Sequence, residues 1–166
     1  MTEPAPSFLI INVSRIGDTL FATPAIRAVA SAYPDSPITV LGHPKRVEVL
    51  RALPGVSATG RITKRTAPWR GRAWGRRYRY ALVYGFDRAL VAYALRVAER
   101  VIAFRQGDTR LDERLYRCVE PPPFQSEHAV PQLLRLPQAI GIAPAGLRLA
   151  YRVLPVEALA ARQRLA

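Results

Sequence analysis

The sequence predicts an α/β domain built on a parallel β-sheet. Short apolar runs rich in β-branched residues alternate along the chain with segments of helical spacing. The first of these runs leads into a helical segment through a tight turn that contains one glycine. The chain has 166 residues, of which 49% are hydrophobic, and is therefore long enough to bury a single core. Because parallel strands need crossover connections, the alternating pattern predicts a Rossmann-like sheet with helices on both faces.

The first strand is predicted over Phe8–Val13, an apolar run of the length and composition of a buried strand. The following helix is predicted over Pro24–Ala32, with Thr23 as its N-cap and proline in the first helical position. In the alternative, a helical turn begins at Asp18 as N-cap and the proline lies in a kink. A proline-rich stop then precedes a second strand at Ile38–Leu41.

The rest of the chain continues the alternation of strands and helices, without an internal repeat. The predicted elements are a short helix Lys45–Leu53, a weak strand within Val56–Ile62, a strand Tyr80–Tyr84, a helix Arg88–Ala98, a strand Val101–Phe104, a long surface loop Gln106–Pro123, a helix His128–Ile140 and a strand-like segment Leu147–Val153. A polar, alanine-rich tail follows.

The positive charge of the chain is concentrated in one segment. The formal net charge is +13, and residues 61–80 hold eight cations and no acid. This basic segment (residues 61–80) favours an anionic partner, namely phosphates, acidic sugars, nucleic acid or lipid head groups. The alternative is a solvated, arginine-rich loop. Within the segment, Trp69 and Trp74 are candidates to stack on a sugar or lie in a membrane interface, or to be buried anchors.

Several functional classes are disfavoured by what the sequence lacks. A single glycine follows the first strand where dinucleotide-binding proteins have three, and no phosphate-binding Gly-Lys-Ser/Thr loop is present. Cys118 is the one cysteine, and two histidines far from it offer no metal-ligand spacing. No apolar run reaches the roughly 20 residues of a bilayer span, and no positive charge precedes the first apolar run. We therefore expect a cytoplasmic domain with no metal, no disulfide and no transmembrane helix.

The turn after the first strand is the strongest candidate site. It reads Ser-Arg-Ile-Gly-Asp over residues 14–18, and Asp18 is its one acid. Open α/β sheets build their sites outside the carboxyl ends of the strands, which is where this turn falls. A helix start also stabilises a nearby carboxylate. The alternative reading of Asp18 is an ordinary N-cap, and Gly17 could be a plain turn glycine. Ser14 and Arg15 could contact a substrate, or could cap and solvate the turn.

The residues of this region resemble a known family. The strand followed by Ser-Arg-Ile-Gly-Asp-Thr-Leu-Phe-Ala-Thr-Pro-Ala-Ile-Arg-Ala resembles the opening of the lipopolysaccharide heptosyltransferases, glycosyltransferase family 9. Weaker likenesses follow in order at Ile38–Leu41, at Tyr80-Ala-Leu-Val and at Glu127-His-Ala-Val. The family has the GT-B fold, in which two Rossmann-like domains face each other across a cleft. The resemblance covers its N-terminal, acceptor-binding domain (residues 1–153 here), with residues 154–166 as the start of an interdomain linker or a tail, and implies that the C-terminal donor domain is absent from this sequence.

The resemblance implies transfer of heptose from ADP-heptose to an acidic acceptor sugar on lipid A, with inversion. Asp18 matches the position of the general base, a contribution of roughly 10²–10⁴-fold in rate. Arginine and lysine side chains suit the carboxylates and phosphates of such an acceptor. The predicted substrate-binding residues are Ser14, Arg15 and Gly17 in the turn, together with three cations of the basic segment. These cations are Arg61, Lys64 and Arg65, which directly follow the third-strand region and are expected to face the same side of the sheet as Asp18. No cofactor is implied, because the nucleotide sugar is a substrate.

The implied partners are an anionic glycolipid acceptor, a nucleotide sugar bound through the missing donor domain, and the inner membrane surface, with no specific nucleic acid. The isolated chain is expected to be incomplete. One departure lies at the fourth strand, where family members usually carry an aspartate and this chain has Tyr84-Gly-Phe before Asp87. Asp87 is therefore a weak candidate, His128 is expected to start a helix, and Cys118 to be inert.

A non-catalytic function remains the alternative. A basic Rossmann-like module could dock on an anionic glycolipid, on a membrane surface or on nucleic acid without transferring a sugar. The absence of a donor domain favours this alternative for the chain taken alone, whereas the strand-Gly-Asp-helix motif favours the enzyme.

Overall fold

The computed structural model describes residues 5–71, 75–123 and 126–165; Arg72 and Trp74 of the basic segment lie outside the described residues. Its centre is a six-stranded, all-parallel sheet with the strand order β3-β2-β1-β4-β5-β6. The strands are β1 (Phe8–Asn12), β2 (Ile38–Gly42), β3 (Ala58–Arg61), β4 (Tyr78–Tyr84), β5 (Ala98–Phe104) and β6 (Arg117–Val119). The order reverses between β1 and β4, which makes this pair the switch point of a Rossmann-like sheet.

Strand β1 occupies the centre of the sheet, and all five of its residues are buried. Phe8 and Ile10 point into a hydrophobic cluster on one face of the sheet, and Leu9 and Ile11 into a second cluster on the opposite face. A strand covered on both faces is continuously apolar, as this one is in the sequence. The predicted first strand and the parallel sheet are therefore confirmed.

Helices cover both faces. The helices are α1 (Ile16–Phe21), α2 (Thr23–Ala32), α3 (Arg88–Val97), α4 (Thr109–Asp112), α5 (Ala129–Gln138) and α6 (Pro155–Leu165), with 3₁₀ turns at Val47–Leu50 and Ala67–Trp69. The apolar sides of α2 and α5 complete the first cluster, and α3 completes the second. The predicted helices on both faces are confirmed.

The start of the first helix differs from both predicted alternatives. Helix α1 begins at Ile16 with Arg15 as N-cap, so Asp18 lies inside the first turn and is not a cap. A second helix begins at Thr23, whose hydroxyl donates to the Leu20 carbonyl (2.8 Å) and accepts from the Ala150 amide (2.8 Å). Thr23 is therefore the first residue of α2 and not its N-cap, which is Ala22. Its buried side chain joins α2 to a segment 127 residues later.

The predicted long loop over residues 106–123 is wrong, because this segment contains α4 and the edge strand β6. Asp108 caps α4 by accepting a hydrogen bond from the Leu111 amide, and the Tyr116 amide donates to the Val101 carbonyl beside β6 (2.8 Å). Both elements are too short to leave a periodic apolar pattern in the sequence. Strand β6 is stabilised by its pairing with β5.

Two further predictions are corrected. The helix expected over residues 45–53 is reduced to the 3₁₀ turn Val47–Leu50. The strand-like segment 147–153 forms no strand; it contacts α2, where Arg27 donates to the Arg148 carbonyl (2.6 Å). The alternation of strand and helix patterns in the sequence cannot show whether this segment joins the sheet. The observed sheet has β3 and β6 as its edge strands and does not include it. The tail beyond it is helix α6.

The basic segment connects β3 to β4 by running along α3. Near its start, Lys64 and Arg65 lie close to Leu90 at the beginning of α3. Arg96, on the last turn of α3, donates to the Ala67 carbonyl (2.6 Å), and the Arg77 amide donates to the Val97 carbonyl (2.8 Å) at the helix end. Helix α3 runs from the carboxyl edge of the sheet to its amino edge, so the basic segment spans the sheet. None of the helices formed by the described residues is long and apolar enough to cross a bilayer.

Candidate functional site

A cavity of about 200 Å³ opens at the switch point, between the carboxyl ends of β1 and β4. We call it the switch-point cavity. Its walls come from the two strand ends, from α1 and from α5, and include Asn12, Val13, Ser14, Asp18, Tyr84, Gly85 and Phe86. Ligands of open α/β sheets bind at this place because the connections on either side diverge to opposite faces and leave a crevice.

Side-chain hydrogen bonds fix the turn that leads from β1 into α1. Ser14 Oγ donates to Asn12 Oδ1 (2.6 Å), and Asn12 Nδ2 donates to the Asp18 carbonyl (3.4 Å). Thr19 Oγ1 donates to the Arg15 carbonyl (2.9 Å), and Arg46 Nη1 donates to the Ser14 carbonyl (2.9 Å). Asn12 is 4% exposed, and both polar atoms of its buried side-chain amide take part in holding the turn.

Asp18 lines the switch-point cavity, and its carboxylate has no partner among the described residues. It is exposed, and it makes no hydrogen bond or ion pair with any other residue that the structure describes. Only the backbone of Asp18 is tied down, through the Asn12 amide. A carboxylate on a fixed backbone with unoccupied oxygens can accept a proton or a hydrogen bond from a ligand in the cavity.

A second cavity of about 450 Å³ adjoins the first, and the two share Val13 and residues 84–86. Lys64 and Arg65 line it, together with His43 and Asp87. The structure therefore brings Asp18, Ser14, Lys64 and Arg65 to the same edge of the sheet. Asp18 lies on the α5 side of β4 and the two cations on its α3 side.

The other three sequence-predicted site residues lie outside both cavities. Arg15 and Gly17 are exposed on the outer side of the turn and line neither cavity. Arg61 ends β3 in register with Gly42 and is also exposed; its carbonyl accepts a hydrogen bond from Arg70. Whether these three contact a substrate stays a prediction.

Tyr84 at the end of β4 was not identified from the sequence as a site residue. It lines both cavities, it is 4% exposed, and its hydroxyl has no hydrogen-bond partner among the described residues. Burial raises the pKa of the Tyr84 phenol far above its ordinary value, so the group is neutral at physiological pH. No sequence pattern indicates that Tyr84 lines a site, because the tyrosine ends an apolar run typical of a strand.

A buried network behind the site was also missed. Gln106 Nε2 donates to the Gly85 carbonyl (3.2 Å) and to the Phe104 carbonyl (2.7 Å). Asp112 is 8% exposed and accepts from the amides of Gln106 (2.9 Å) and Gly107 (3.1 Å). The turn after β5 thereby supports the turn after β4. These polar residues fall in the segment that is predicted from the sequence to be a surface loop.

The remaining candidates have structural positions. Asp87 Oδ1 accepts from the Ala89 amide (3.0 Å) and caps α3, although it also lines the larger cavity. His128 Nδ1 accepts from the Val130 amide (3.2 Å) and caps α5, which confirms the predicted helix start. Burial, followed by the nearby Asp112 carboxylate, raises the pKa of Cys118, so its thiol stays protonated at neutral pH and is a weak nucleophile. Trp69 is 75% exposed and is not a buried anchor.

Comparison with known proteins shows similarity in structure. No protein-family model and no curated protein matches the sequence at a significant level. A family 9 glycosyl transferase from Veillonella parvula superposes with a TM-score of 0.79 at 13% identity, over 98% of this chain and 50% of that protein. The E. coli heptosyltransferase WaaC with ADP gives 0.69 at 15% identity, over 89% of this chain and 51% of WaaC. E. coli ADP-heptose lps heptosyltransferase II gives 0.65 at 16% identity, over 96% of this chain and 50% of that protein.

The chain thus spans about half the length of each of these proteins. At these identities the likeness establishes the fold, and it agrees with the family resemblance of residues 8–27. The chain therefore has the Rossmann-like fold of one half of a GT-B glycosyltransferase, with a cavity at the switch point between β1 and β4.

Proposed function

We propose that this chain is the acceptor-binding, N-terminal half of a family 9 glycosyltransferase that transfers heptose from ADP-heptose to an acidic sugar on lipid A. The observation that carries the proposal is the position of Asp18. Its unpartnered carboxylate lies at the switch point of the sheet, on the motif that resembles the family.

In the proposed reaction, an acceptor hydroxyl in the switch-point cavity attacks the anomeric carbon of the donor sugar. The new glycosidic bond forms as the bond to the nucleoside diphosphate breaks, and the hydroxyl proton passes to Asp18. Attack from the face opposite the leaving group inverts the anomeric configuration. A base within hydrogen-bond reach of the hydroxyl is required at this moment, and a carboxylate that has no protein partner is free to approach it.

Lys64 and Arg65 suit the acidic groups of the acceptor. They line the cavity that adjoins the switch-point cavity, so an acceptor could place its hydroxyl near Asp18 and its carboxylates or phosphates against these cations. Guanidinium groups bind such oxyanions through paired hydrogen bonds. Because the acceptor is a glycolipid, we also propose that the protein works at the inner membrane surface.

The donor half is proposed to come from a second Rossmann-like unit. This chain spans about half the length of each structural relative, and the donor site is proposed to lie on a unit that corresponds to the other half. The proposal assigns no donor-binding residue to this chain, and it requires no metal or cofactor.

The test separates acceptor binding from transfer. Titration calorimetry with a deacylated lipid A that carries its acidic sugars should show binding to the chain alone. Neutralising Lys64 and Arg65 to glutamine should weaken this binding about tenfold or more, since each removes a charged hydrogen bond. Transfer is measured as ADP release from ADP-heptose, with a donor half of a family 9 enzyme supplied in trans.

Asp18→Asn should abolish transfer while acceptor binding is retained, and the matched control Asp35→Asn, in an exposed turn at the opposite edge, should leave both unchanged. Equal transfer by Asp18→Asn and the parent chain would refute the catalytic proposal. Acceptor binding without any Asp18-dependent transfer would favour the non-catalytic alternative, a basic module that docks on anionic glycolipid.

A further inference from the structure

A large cavity lined by described residues lies at the amino edge of the sheet, opposite the candidate site. It has a volume of about 570 Å³ and is formed where β1, β4 and β5 begin. We call it the amino-edge cavity. The six residue steps of β4 from Tyr78 to Tyr84 separate the two edges by about 20 Å, so one small ligand cannot occupy both sites.

The amino-edge cavity is lined by an excess of positive charge. Four guanidinium groups surround it, those of Arg76, Arg77, Arg79 and Arg100, and the one carboxylate among its described lining residues is that of Glu99. Glu99 is paired with Arg79 at 2.5 Å. The cations Arg76 and Arg100 have no carboxylate partner within the described lining. Like charges gathered around one concave space favour an anion between them.

Two aromatic side chains hold the Arg100 guanidinium in place. Its Nη1 donates to the Tyr80 hydroxyl (2.8 Å), and its guanidinium lies over the rings of Tyr80 and Tyr116, 5.5 Å and 4.9 Å from their centroids. An arginine has five N–H donors, and the Tyr80 contact uses one of them. Stacking fixes the plane of the guanidinium, so less conformational entropy is lost when it binds an oxyanion.

The walls of the cavity add an apolar component. Tyr33, Tyr78 and Tyr80 line it beside the arginines. Tyr80 is itself stacked on Phe8, with ring centroids 5.2 Å apart and an interplanar angle of 17°. The volume falls in the range of small-molecule sites, roughly 300–1,000 Å³. Rigid aromatic walls with converging arginines suit a ligand that has a phosphate group at one end and a ring at the other.

We propose that the amino-edge cavity is a second binding site, distinct from the acceptor site, and that it takes a phosphate or diphosphate group. Arg76 and Arg100 bind the phosphate oxygens, and the tyrosines contact whatever the phosphate is attached to. The basic segment would then contribute cations to two anion-binding sites, with Lys64 and Arg65 at one edge of the sheet and Arg76 at the other. The phosphate could belong to a free phosphorylated molecule or to a phospholipid head group.

The test uses the full chain and inorganic pyrophosphate as the probe, in titration calorimetry at low salt. The double variant Arg76→Gln/Arg100→Gln should weaken binding about tenfold or more, because two charged hydrogen-bonding groups are lost. The control Arg51→Gln/Arg114→Gln removes the same net charge from exposed positions elsewhere and should change the affinity by less than about twofold.

The double variant also removes the contact of Arg100 with Tyr80, which could affect folding. The single variant Arg76→Gln is therefore measured as well. Arg76 makes no hydrogen bond or ion pair with a described residue, so its loss should not affect folding. Co-sedimentation with vesicles of phosphatidylglycerol and phosphatidylcholine distinguishes the sources. Loss of vesicle binding in Arg76→Gln/Arg100→Gln, but not in the control, identifies a head group. Retained vesicle binding with loss of pyrophosphate binding identifies a free phosphorylated ligand. Absence of pyrophosphate binding, or equal weakening by the control pair, would overturn the proposal.

Discussion

Arg46 Nη1 donates a 2.9 Å hydrogen bond to the backbone carbonyl of Ser14. The arginine follows β2 and the serine follows β1, so this contact ties together the turns at the carboxyl ends of two neighbouring strands. The Ser14 carbonyl lies four residues before Asp18. The geometry of the turn that carries the candidate base therefore depends on a side chain 32 residues beyond Ser14.

Replacing Arg46 with methionine should loosen the turn and leave the fold intact. The variant keeps most of the aliphatic stem and removes the hydrogen bond, so the free energy of unfolding should fall by about 1 kcal/mol. Hydrogen exchange measured by mass spectrometry should become faster in residues 14–19. The control Arg51→Met, at an exposed position with no such contact, should leave exchange in this segment unchanged. Equal protection in Arg46→Met and the parent chain would show that the contact does not restrain the turn.

The sequence predicts those parts of the fold that local patterns determine. Phe8–Asn12 is apolar at every position because both faces of β1 are buried, and the apolar spacing of α3 is visible because only one of its sides packs on the sheet. Thr23 was misassigned because its hydroxyl binds the Ala150 amide, a partner that no local pattern reveals. Strand β6 was missed because three residues are too few for periodicity, and its pairing with β5 supplies the stabilisation.

The residues of the candidate site could likewise be predicted only in part from the sequence. Asp18 could be found because its turn directly follows a strand, and the carboxyl edge of a parallel sheet is a general site position. Tyr84, Gln106 and Arg46 reach the site from separate elements, so only the strand order brings them there. The charge of the basic segment was visible in the sequence, but its distribution to both edges of the sheet depends on its path along α3.

Asp112→Asn should destabilise the turn that supports β4. Both carboxylate oxygens of Asp112 accept backbone amides, those of Gln106 and Gly107, and the side chain is 8% exposed. An asparagine must place an N–H group against one of these donors, so the free energy of unfolding should fall by about 2 kcal/mol or more. Urea unfolding followed by circular dichroism measures this loss.

The exposed control Asp35→Asn should change stability by no more than about 0.5 kcal/mol. An unchanged unfolding midpoint in Asp112→Asn would show that the two amides find other partners.

Gly71→Ala tests the path of the basic segment along α3. Gly71 has φ +74°, and a Cβ there would lie 2.6 Å from Val97 Cγ1 on α3. Gly75 also has a positive φ, +62°, but no atom of the described residues lies within 4 Å of a Cβ placed there. Gly75→Ala should therefore show only the backbone cost, about 1 kcal/mol, whereas Gly71→Ala should lose a further 1–3 kcal/mol or so by overpacking. Equal midpoints in urea for the two variants would mean that the segment does not pack on α3 as the structure has it.

Tyr84→Phe should stabilise the protein at neutral pH and reduce its sensitivity to alkali. The buried hydroxyl lacks a hydrogen-bond partner among the described residues, so its removal should raise the free energy of unfolding by about 1 kcal/mol.

Burial raises the pKa of Tyr84 above its ordinary value of 10.0, so the folded state retains a proton that the unfolded state releases. The contribution of the neutral phenol is complete below the unfolded pKa and is lost as the pH rises above it. Between about pH 9 and pH 11 the parent chain should therefore lose more stability than Tyr84→Phe, by up to about 1.4 kcal/mol per pH unit at the upper end of that range. Urea unfolding at several pH values measures the two slopes, and Tyr151→Phe, which is exposed, should follow the parent chain. Parallel pH profiles for Tyr84→Phe and the parent would show that the phenol ionises without unfolding the domain.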